Sequence, residues 1–486
     1  MSAEDLATHL QHPIGRGHSP EGCFTGAAGG AACGDLIRIS VRLDPHSTDG
    51  AVKDAGFDAS GCGAVLAAGS ATVSLCRGAG LLDAARIGAD QIAAELGGLS
   101  PAKRHAAELA ADALHRALGG AVRSLEPLSP EADRAVVAMS GGVDSAVAAL
   151  LTSADGTETV AVTLELWSDQ ENDGEQSCCS AQAVRAAREV AHSLGIAHFS
   201  IDLRAEFRAG VIEPWIADHS AGLTPNPCVR CNGNVRLDAM LELAQRMGAK
   251  TLSTGHYARV RPQATAEGPL LCVAADASKD QSYVLAALSP ESLDKMRFPL
   301  GGLTKPEVRE LARRAGLAVA DKRDSQDLCF LAGTKQRSFL SRHGEMRPRP
   351  GAIVDRDGRR LGDHEGHQTF TVGQRRGLRL GSEAPLYVLG TDPLTNTVTV
   401  GPREQLLTET INVDRVTLHR GGDSIDAIKI RSRGRRLACK IPEETARGSH
   451  RHLQVRLLEP LERTAPGQLA CLYSGDLIVG HGTISQ

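Results

Sequence analysis

The sequence predicts a multidomain α/β chain: an N-terminal α+β block, a parallel sheet covered by helices, a small mixed module and a C-terminal antiparallel β-barrel. Three observations carry this. At 486 residues the chain exceeds one ordinary domain of about 100–200 residues. Apolar β-rich runs (Ala135–Met139, Thr159–Leu164, His198–Asp202, Thr251–Thr254) alternate with helical patterns (Ala146–Leu151, Ala181–Leu194, Leu237–Met247), as strand–helix–strand units do. After Ser338 the texture changes to short strand-like runs such as Thr397–Val400 and Leu453–Leu458, separated by Gly, Pro and Asp.

In order along the chain, residues 1–121 form the first block, in which Leu36–Leu43 alternates as a half-buried strand does. Residues 122–133, punctuated by Pro127, Ser129 and Pro130, read as a linker. Segments 134–337, 338–405 and 406–486 follow as sheet domain, central module and barrel. A hydrophobic content of 42% suffices for packed cores, and only 3% aromatics means that Ala, Val, Leu and Ile must fill them.

A net charge of −4 excludes a uniformly basic nucleic-acid protein, yet basic residues cluster. Lys335–Arg379 holds eleven Lys/Arg against five Asp/Glu, and Arg431, Arg433, Arg435, Arg436 and Lys440 form a second group, both attractive to a phosphate backbone. No DNA partner and no membrane are expected: no 18-residue apolar run occurs, and the N-terminus lacks a charged-then-apolar signal pattern, so the cytoplasm is the expected compartment. Twelve cysteines in a reducing compartment point to metal, persulfide or redox chemistry rather than a disulfide framework.

The most informative stretch is Ser140-Gly141-Gly142-Val143-Asp144-Ser145, between a strand-like and a helix-like run. Adjacent glycines let backbone N–H groups approach a ligand, the serines add hydroxyl donors, and a helix N-terminus favours an anion, so the loop suits phosphate. It is neither a Walker loop nor a Gly-x-Gly-x-x-Gly fingerprint. Farther on, Thr224-Pro-Asn-Pro-Cys228-Val-Arg-Cys231 places two thiols three apart in a loop that prolines hold open, with Arg230 near enough to favour thiolate; half of a structural zinc site is the alternative. Cys329 is a third candidate thiol. His256 reads equally as a structural histidine or a contact, and Lys279-Asp280 as a surface ion pair or a contact. Cys178 and Cys179 are expected to be structural, and Cys272, Cys439 and Cys471 to be small core residues.

Ser140–Ser145, Thr224-Pro-Asn-Pro, Cys231-Asn232, Thr254-Gly255-His256-Tyr257-Ala258-Arg259, Lys279-Asp280-Gln281-Ser282-Tyr283, Asp324–Phe330, Thr371–Leu378 and Pro466-Gly-Gln together resemble the bacterial tRNA-specific 2-thiouridylases, members of the PP-loop ATP pyrophosphatases, in order and over about Arg134–Gln486. The resemblance implies an adenine nucleotide alpha hydrolase-like sheet domain, a central tRNA-binding adaptor, and ATP-dependent replacement of the C2 oxygen of the wobble uridine by sulfur in tRNAs for Lys, Glu and Gln. It places Met139, Ser140, Gly141, Gly142, Asp144, Ser145, Leu164, Gly255 and His256 around ATP, with Asp144 also placing Mg²⁺, and Lys279, Gln281, Gln374, Arg375 and Arg376 towards tRNA.

For sulfur it leaves alternatives open. Cys231 carries a persulfide that Cys329 resolves, with sulfur from a cysteine desulfurase or a sulfur carrier, or Cys228, Cys231 and Cys329 hold a [4Fe–4S] cluster that binds hydrosulfide. Many members have Asp where this chain has Cys228, which adds a soft ligand to the second option. A Cys228–Cys231 disulfide is a third.

In the first block His12-Pro13, Ala32-Cys33-Gly34-Asp35, Gly61-Cys62-Gly63 and Lys103-Arg104-His105 resemble the NifU/IscU-type iron–sulfur scaffolds. Ala106 stands where a third cysteine belongs, leaving Cys33, Asp35, Cys62 and His105 as a mixed donor set for a labile Fe–S cluster or zinc, with Cys23 and Cys76 as substitutes if the fold brings them close. The block is expected either to deliver sulfur or cluster, the linker raising local concentration, or to be merely structural. Rival readings are an amidating synthetase, a 4-thiouridine synthase, and an iron–sulfur cluster assembly protein whose nucleotide domain is regulatory.

Overall fold

Helix α1 (Glu4–Gln11) leads into a three-stranded antiparallel sheet, β1 (Phe24–Gly29), β2 (Leu36–Leu43) and β3 (Val52–Ser60), in that order. The structure is a computed structural model that describes residues 4–29, 34–124, 126–131, 133–154, 156–169, 180–262, 268–323, 328–331, 333–344, 349–382 and 384–485. The alternation in β2 buries Ile37, Ile39 and Val41 and exposes Leu36 and Arg38. Helices α2 (Gly63–Cys76), α3 (Leu81–Ala84), α4 (Ala89–Glu95) and the long α5 (Arg104–Ser124) follow. Rather than giving way to a linker at residue 122, α5 runs on to Ser124. The segment beyond it is tied down, Leu128 N–H donating to Arg246 O and Glu131 N–H to Gly248 O.

The chain then alternates through β4 (Arg134–Ala138), α6 (Val143–Ser153), β5 (Glu158–Glu165), α7 (Ala181–Ser193) and β6 (Ala197–Asp202). Helices α8 (Arg204–Phe207), α9 (Glu213–Ser220), α10 (Pro227–Arg230) and α11 (Leu237–Arg246) precede β7 (Thr251–Thr254), with π-helical turns at Arg208–Ile212 and Cys231–Arg236. The antiparallel pair β8 (Arg259–Arg261) and β9 (Leu270–Cys272), then α12 (Pro290–Lys295), β10 (Met296–Arg297) and α13 (Lys305–Arg314), complete this stretch. The sheet order is β10-β7-β4-β5-β6, and every pairing is parallel. Because β5 lies on one side of β4 and β7 on the other, the connections reverse direction at β4. In such sheets the crevice beyond the carboxyl end of that strand is where ligands bind.

The described residues group into two units: Met1–Arg204 with Ala239–His256 and Lys295–Ala332, and Ala205–Asp238 with Tyr257–Asp294 and Gly333–Gln486. Within the first, the N-terminal block is docked on the parallel sheet. Helix α5 lies along edge strand β6, so closely that a Cβ on Gly119 would stand 2.0 Å from Ser200 O. The edge N–H of His198 donates to Ala85 O at 3.0 Å, and the His115 ring is wedged between His198 O (2.6 Å) and Ile87 O (2.9 Å). Arg116 pairs with Glu165, and Asp112 with Arg185 and Arg188. An edge strand that would otherwise invite pairing is thereby covered.

In the second unit α14 (Gln336–His343) precedes a small sheet of β11 (Gly351–Val354), β12 (Arg360–His364), β13 (Tyr387–Asp392) and β14 (Thr397–Gly401), with Ile353, Leu378, Val388, Val398 and Val400 as its core. Strands β15 (Leu407–Leu418), β16 (Ala427–Lys429), β17 (Leu437–Lys440), β18 (Gly448–Glu462), β19 (Leu469–Ser474) and β20 (Leu477–Ile484) pair antiparallel and close through β15–β20 into the expected barrel. Closure removes the free edges. Cys272, Cys439 and Cys471 are buried, as small core residues should be. Among the described residues no helix is long and apolar enough to cross a membrane.

Candidate functional site

Ser140–Ser145 forms the turn from β4 into α6, at the sheet's reversal point. Gly141 takes φ 67°, a left-handed conformation natural to glycine. Ser140 N–H donates to Ser145 Oγ at 3.1 Å, and that hydroxyl donates to Gly142 O at 3.0 Å, so the loop is shaped before any ligand arrives. Met139 and Leu164 are buried at the ends of β4 and β5, Met139 N–H donating to Val162 O. Gly255 follows β7 so tightly that a Cβ there would lie 2.7 Å from Ser145 N. His256 Nδ1 lies 2.9 Å from Thr254 Oγ1.

Two cations that sequence reading missed enter this loop. Lys305 Nζ donates to both carboxylate oxygens of Asp144 at 2.8 Å, and Lys322 Nζ donates to Gly141 O at 2.9 Å. The available signal was Thr304-Lys305-Pro306-Glu307, whose Thr304–Glu307 capping box starts α13 and aims Lys305. A helix N-terminus with its first-turn N–H groups and two ammonium groups suits an anion.

Cys228 and Cys231 lie in the second unit. The Cys228–Cys231 stretch is a helical turn rather than an open loop, because Asn226 Oδ1 caps α10 by accepting from Cys228 N–H and Pro227 starts it. The barrel holds the approach: Thr224 N–H donates to Pro466 O at 2.8 Å, and Gln468 Nε2 donates to Thr224 O. Arg230 does not serve the thiols as expected; it pairs with Asp218 at 3.4 Å. Burial pushes the Cys228 thiol up, and the nearby cation opposing this is Arg236. Cys231 is buried, with Asn232 Nδ2 donating to Val284 O at 3.4 Å. Cys329 opens a short 3₁₀ turn in the first unit; Asp324–Asp327 before it, and Cys178 and Cys179, lie outside the described residues.

Other expected contacts are committed to local structure. Gln281 Oε1 accepts from Tyr257 N–H, and Gln374 accepts from Thr371 N–H while donating to Arg376 O. Asp280, next to Lys279, faces Lys429 at 3.6 Å and accepts from Ser282 Oγ. Arg375 and Arg376 are exposed and form no ion pair among the described residues.

In the N-terminal block Asp35, Cys62 and His105 converge, their ligand atoms all within 4.8 Å of one another. Asp35 Oδ1 accepts from Cys62 N–H at 2.8 Å, and its Oδ2 meets Cys62 Sγ at 3.2 Å and His105 Nε2 at 2.9 Å. The Cys62 N–H, then His105, hold the Asp35 carboxyl below its usual range. A thiol, an imidazole and a carboxylate so placed fit three corners of a tetrahedral ion. Cys33 lies outside the described residues. Neither substitute joins the group: Cys76 ends α2, buried and pushed up to about 12, and Cys23 precedes β1, bonded to Ser19 and Thr25. Ala106 is fully buried in α5.

Family models match along the chain: a NifU-like N terminal domain over 2–121, a tRNA methyl transferase HUP domain over 133–333, a tRNA methyl transferase PRC-barrel domain over 337–402 and an aminomethyltransferase beta-barrel domain over 416–484. The chain is 42% identical over 491 residues to the bifunctional protein NifU/MnmA of Rubrobacter xylanophilus, spanning 98% of this chain and 97% of that protein. It is 43% identical to the tRNA-specific 2-thiouridylase MnmA of a Bradyrhizobium sp., over 71% of this chain and 87% of that protein. A Rhizorhabdus wittichii protein of the same description is 44% identical over 72% of this chain and 91% of its own length. At these identities and coverages, the chain belongs to the family of tRNA-specific 2-thiouridylases, in the form fused to a NifU-like domain.

Proposed function

We infer that the chain is an ATP-dependent tRNA uridine 2-sulfurtransferase acting on the wobble position of tRNAs for Lys, Glu and Gln, in the cytoplasm where tRNA is used. The observation that supports the chemistry is the cradle, a Gly-Gly turn at a helix N-terminus with Lys305 and Lys322 reaching it. A uracil C2 carbonyl is a poor electrophile and its oxygen a poor leaving group. The C2 oxygen attacks the α-phosphorus of ATP, the bond to the bridging oxygen breaks, and pyrophosphate departs. Lys305, Lys322 and the α6 N-terminus stabilise the charge that develops on it. The Asp144 carboxylate, once Lys305 turns to phosphate, would hold Mg²⁺, which supplies further neutralisation. Ser140, Gly141, Gly142 and Ser145 cradle the phosphates, and Met139, Leu164, Gly255 and His256 wall the nucleotide.

A sulfur nucleophile then attacks C2, and the C–O bond breaks as AMP leaves. If the sulfur is the outer atom of a Cys231 persulfide, the Cys329 thiolate attacks the Cys231 sulfur and the S–S bond breaks. This gives 2-thiouridine and a Cys231–Cys329 disulfide that a cellular dithiol reduces. Alternatively Cys228, Cys231 and Cys329 would hold a [4Fe–4S] cluster, which would supply iron for binding hydrosulfide, and the thiols would then form no disulfide. Burial pushes the Cys228 thiol up, so it would join a cluster only as metal displaces its proton, and the persulfide route does not call on it. Arg375 and Arg376 grip the tRNA backbone, Lys279 faces the substrate, and Gln281 and Gln374 act by holding turns. Asp35, Cys62 and His105, with Cys33, would hold zinc in a structural role, or a labile cluster that would supply sulfur or iron to the thiols.

The test is nucleoside mass spectrometry after anaerobic incubation with ATP and unmodified tRNA, with sulfide as donor for the cluster route and, separately, a cysteine desulfurase with cysteine and a dithiol for the persulfide route. The expected product is 2-thiouridine, lost in Cys231→Ser and Lys305→Met, and its absence from the parent protein overturns the reading. Iron–sulfur absorption that persists in Cys62→Ser and is lost in Cys231→Ser supports the cluster route, and the absence of such absorption supports the persulfide route. Cys62→Ser, measured for metal content and for thiolation at limiting sulfur, tests the N-terminal site. Truncation would not, because it uncovers β6.

A further inference from the structure

We propose that a cavity beneath the cysteine turn receives a single nucleotide flanking the uridine that is modified. The cavity, about 230 Å³, lies wholly within the second unit, between α10 and the barrel. Its volume falls below the roughly 300–1,000 Å³ of pockets for drug-sized ligands, which suits one base rather than a larger cofactor. Its walls include Trp215, Asn226, Arg230, Arg415, His481 and Thr483.

Two features mark it as more than a packing gap. Arg415 holds φ 52°, a left-handed conformation unusual for a long side chain, where the pairing of β15 with β20 slips between Asp414 and Thr417. Such irregularities re-aim a side chain next to functional sites. Here the guanidinium reaches Thr483 Oγ1 at 3.4 Å while remaining exposed at the rim. Inside, His481 lines the cavity as a neutral imidazole, burial pushing it down to about 4, a state that suits hydrogen bonding to a base edge.

The chemistry matches single-stranded RNA. A splayed base packs on aromatic and aliphatic surface, its edge hydrogen-bonds to side chains, and an arginine takes the phosphate. Asn226 also caps α10, so the same residue shapes the cavity and the thiol-bearing turn. Pro227, Val229 and Arg230 line the cavity whereas Cys228 and Cys231 do not, so the cavity adjoins the cysteine turn without containing its thiols. A base held here steadies the strand next to the reacting uridine. The proposal rests on the tRNA-thiolating reading.

The experiment uses the full chain and an anticodon stem-loop, intact or with an abasic nucleotide on either side of the target uridine. Binding is read by fluorescence anisotropy at fixed salt, and thiolation by its KM. The parent is expected to bind one of the abasic loops about tenfold more weakly, the loss typical of one stacked base. Arg415→Gly, which suits the local φ and so does not endanger folding, weakens all loops alike, because an abasic nucleotide keeps its phosphate, whereas Thr483→Val weakens the intact loop and shrinks the abasic penalty. Equal binding of all loops by the parent, or an undiminished penalty in Thr483→Val, overturns the proposal. A protein that discriminates the loops but makes no 2-thiouridine refutes the activity and leaves the pocket standing; one that thiolates abasic loops at the parent's KM refutes the pocket alone.

Discussion

Replacing Lys305 by methionine keeps the volume of the side chain and removes the charge that holds Asp144. The ammonium lies 2.8 Å from both carboxylate oxygens, its side chain 10% exposed and that of Asp144 33%. At an effective dielectric constant of about 20 two unit charges at this distance attract by ~6 kcal/mol before solvation is counted. Stranding one member of a buried pair costs about 3–5 kcal/mol, and partial hydration of Asp144 brings the expectation to about 2 kcal/mol. Lys305→Met/Asp144→Asn leaves no stranded charge, so its loss should fall short of the sum of the single variants by about 1 kcal/mol or more. Urea unfolding of the four proteins near neutral pH measures the cycle, and AMP release in the presence of tRNA measures the chemistry. AMP release by Lys305→Met should fall by about 10²-fold or more, as when a donor to developing charge is removed. Additive stabilities together with unchanged AMP release would refute the cradle as an electrostatic device.

Gly255→Ala pushes a methyl group to 2.7 Å from Ser145 N and 2.8 Å from Asp144 C, both backbone atoms, so thermal unfolding should show a loss of about 1–3 kcal/mol and the KM for ATP should rise. Gln468→Ala removes the donor to Thr224 O; unfolding should register about 1 kcal/mol, and Cys228 should react faster with a thiol reagent as its turn loosens. Desolvation depresses His115 and His198 well below their ordinary value and His192 to about 4. The unfolded chain therefore binds protons first as pH falls. Stability is complete above about pH 6.5 and declines by ~1.4 kcal/mol per pH unit for each such histidine down towards pH 4, a slope that denaturation at a series of pH values should reproduce and that His192→Gln should reduce. Hydrogen exchange at the His198 amide should match that of Val160 inside the sheet; exchange at the rate of a free edge would mean that the N-terminal block undocks.

Local signals were legible. The helix read over Ala181–Leu194 spans Ala181–Ser193, and the strand read over His198–Asp202 begins at Ala197, because apolar periodicity and flanking glycines are properties of short windows. The cradle was legible for the same reason. Its cations were not: Lys305 stands 161 residues from Asp144, a distance closed only by the strand order. The cysteine turn was misread as an open loop because prolines were taken as breakers, whereas Pro227 behind a capping Asn226 begins a helix. Proximity in sequence also suggested Arg230 as the cation for the thiols, but three-dimensional placement gave it to Asp218. Cys76 failed as a spare ligand because the length of α2 carries it away from Cys62 into the core.

The interface between α5 and β6 changes how a donor domain could work. A tether raises local concentration only if the tethered part is free to sample positions, and this block is held by a buried imidazole between two carbonyls, by Arg116–Glu165 and by Asp112 with Arg185 and Arg188. The Asp35–Cys62–His105 group sits at the opposite end of α5 from the Arg123 contact with Asp202 O, about 30 Å along a helix of 21 residues. Its offset from the parallel sheet is thus set by packing rather than by a hinge at residues 122–133. The covered edge, which keeps β6 from pairing with other chains, makes the block a structural part of the sheet.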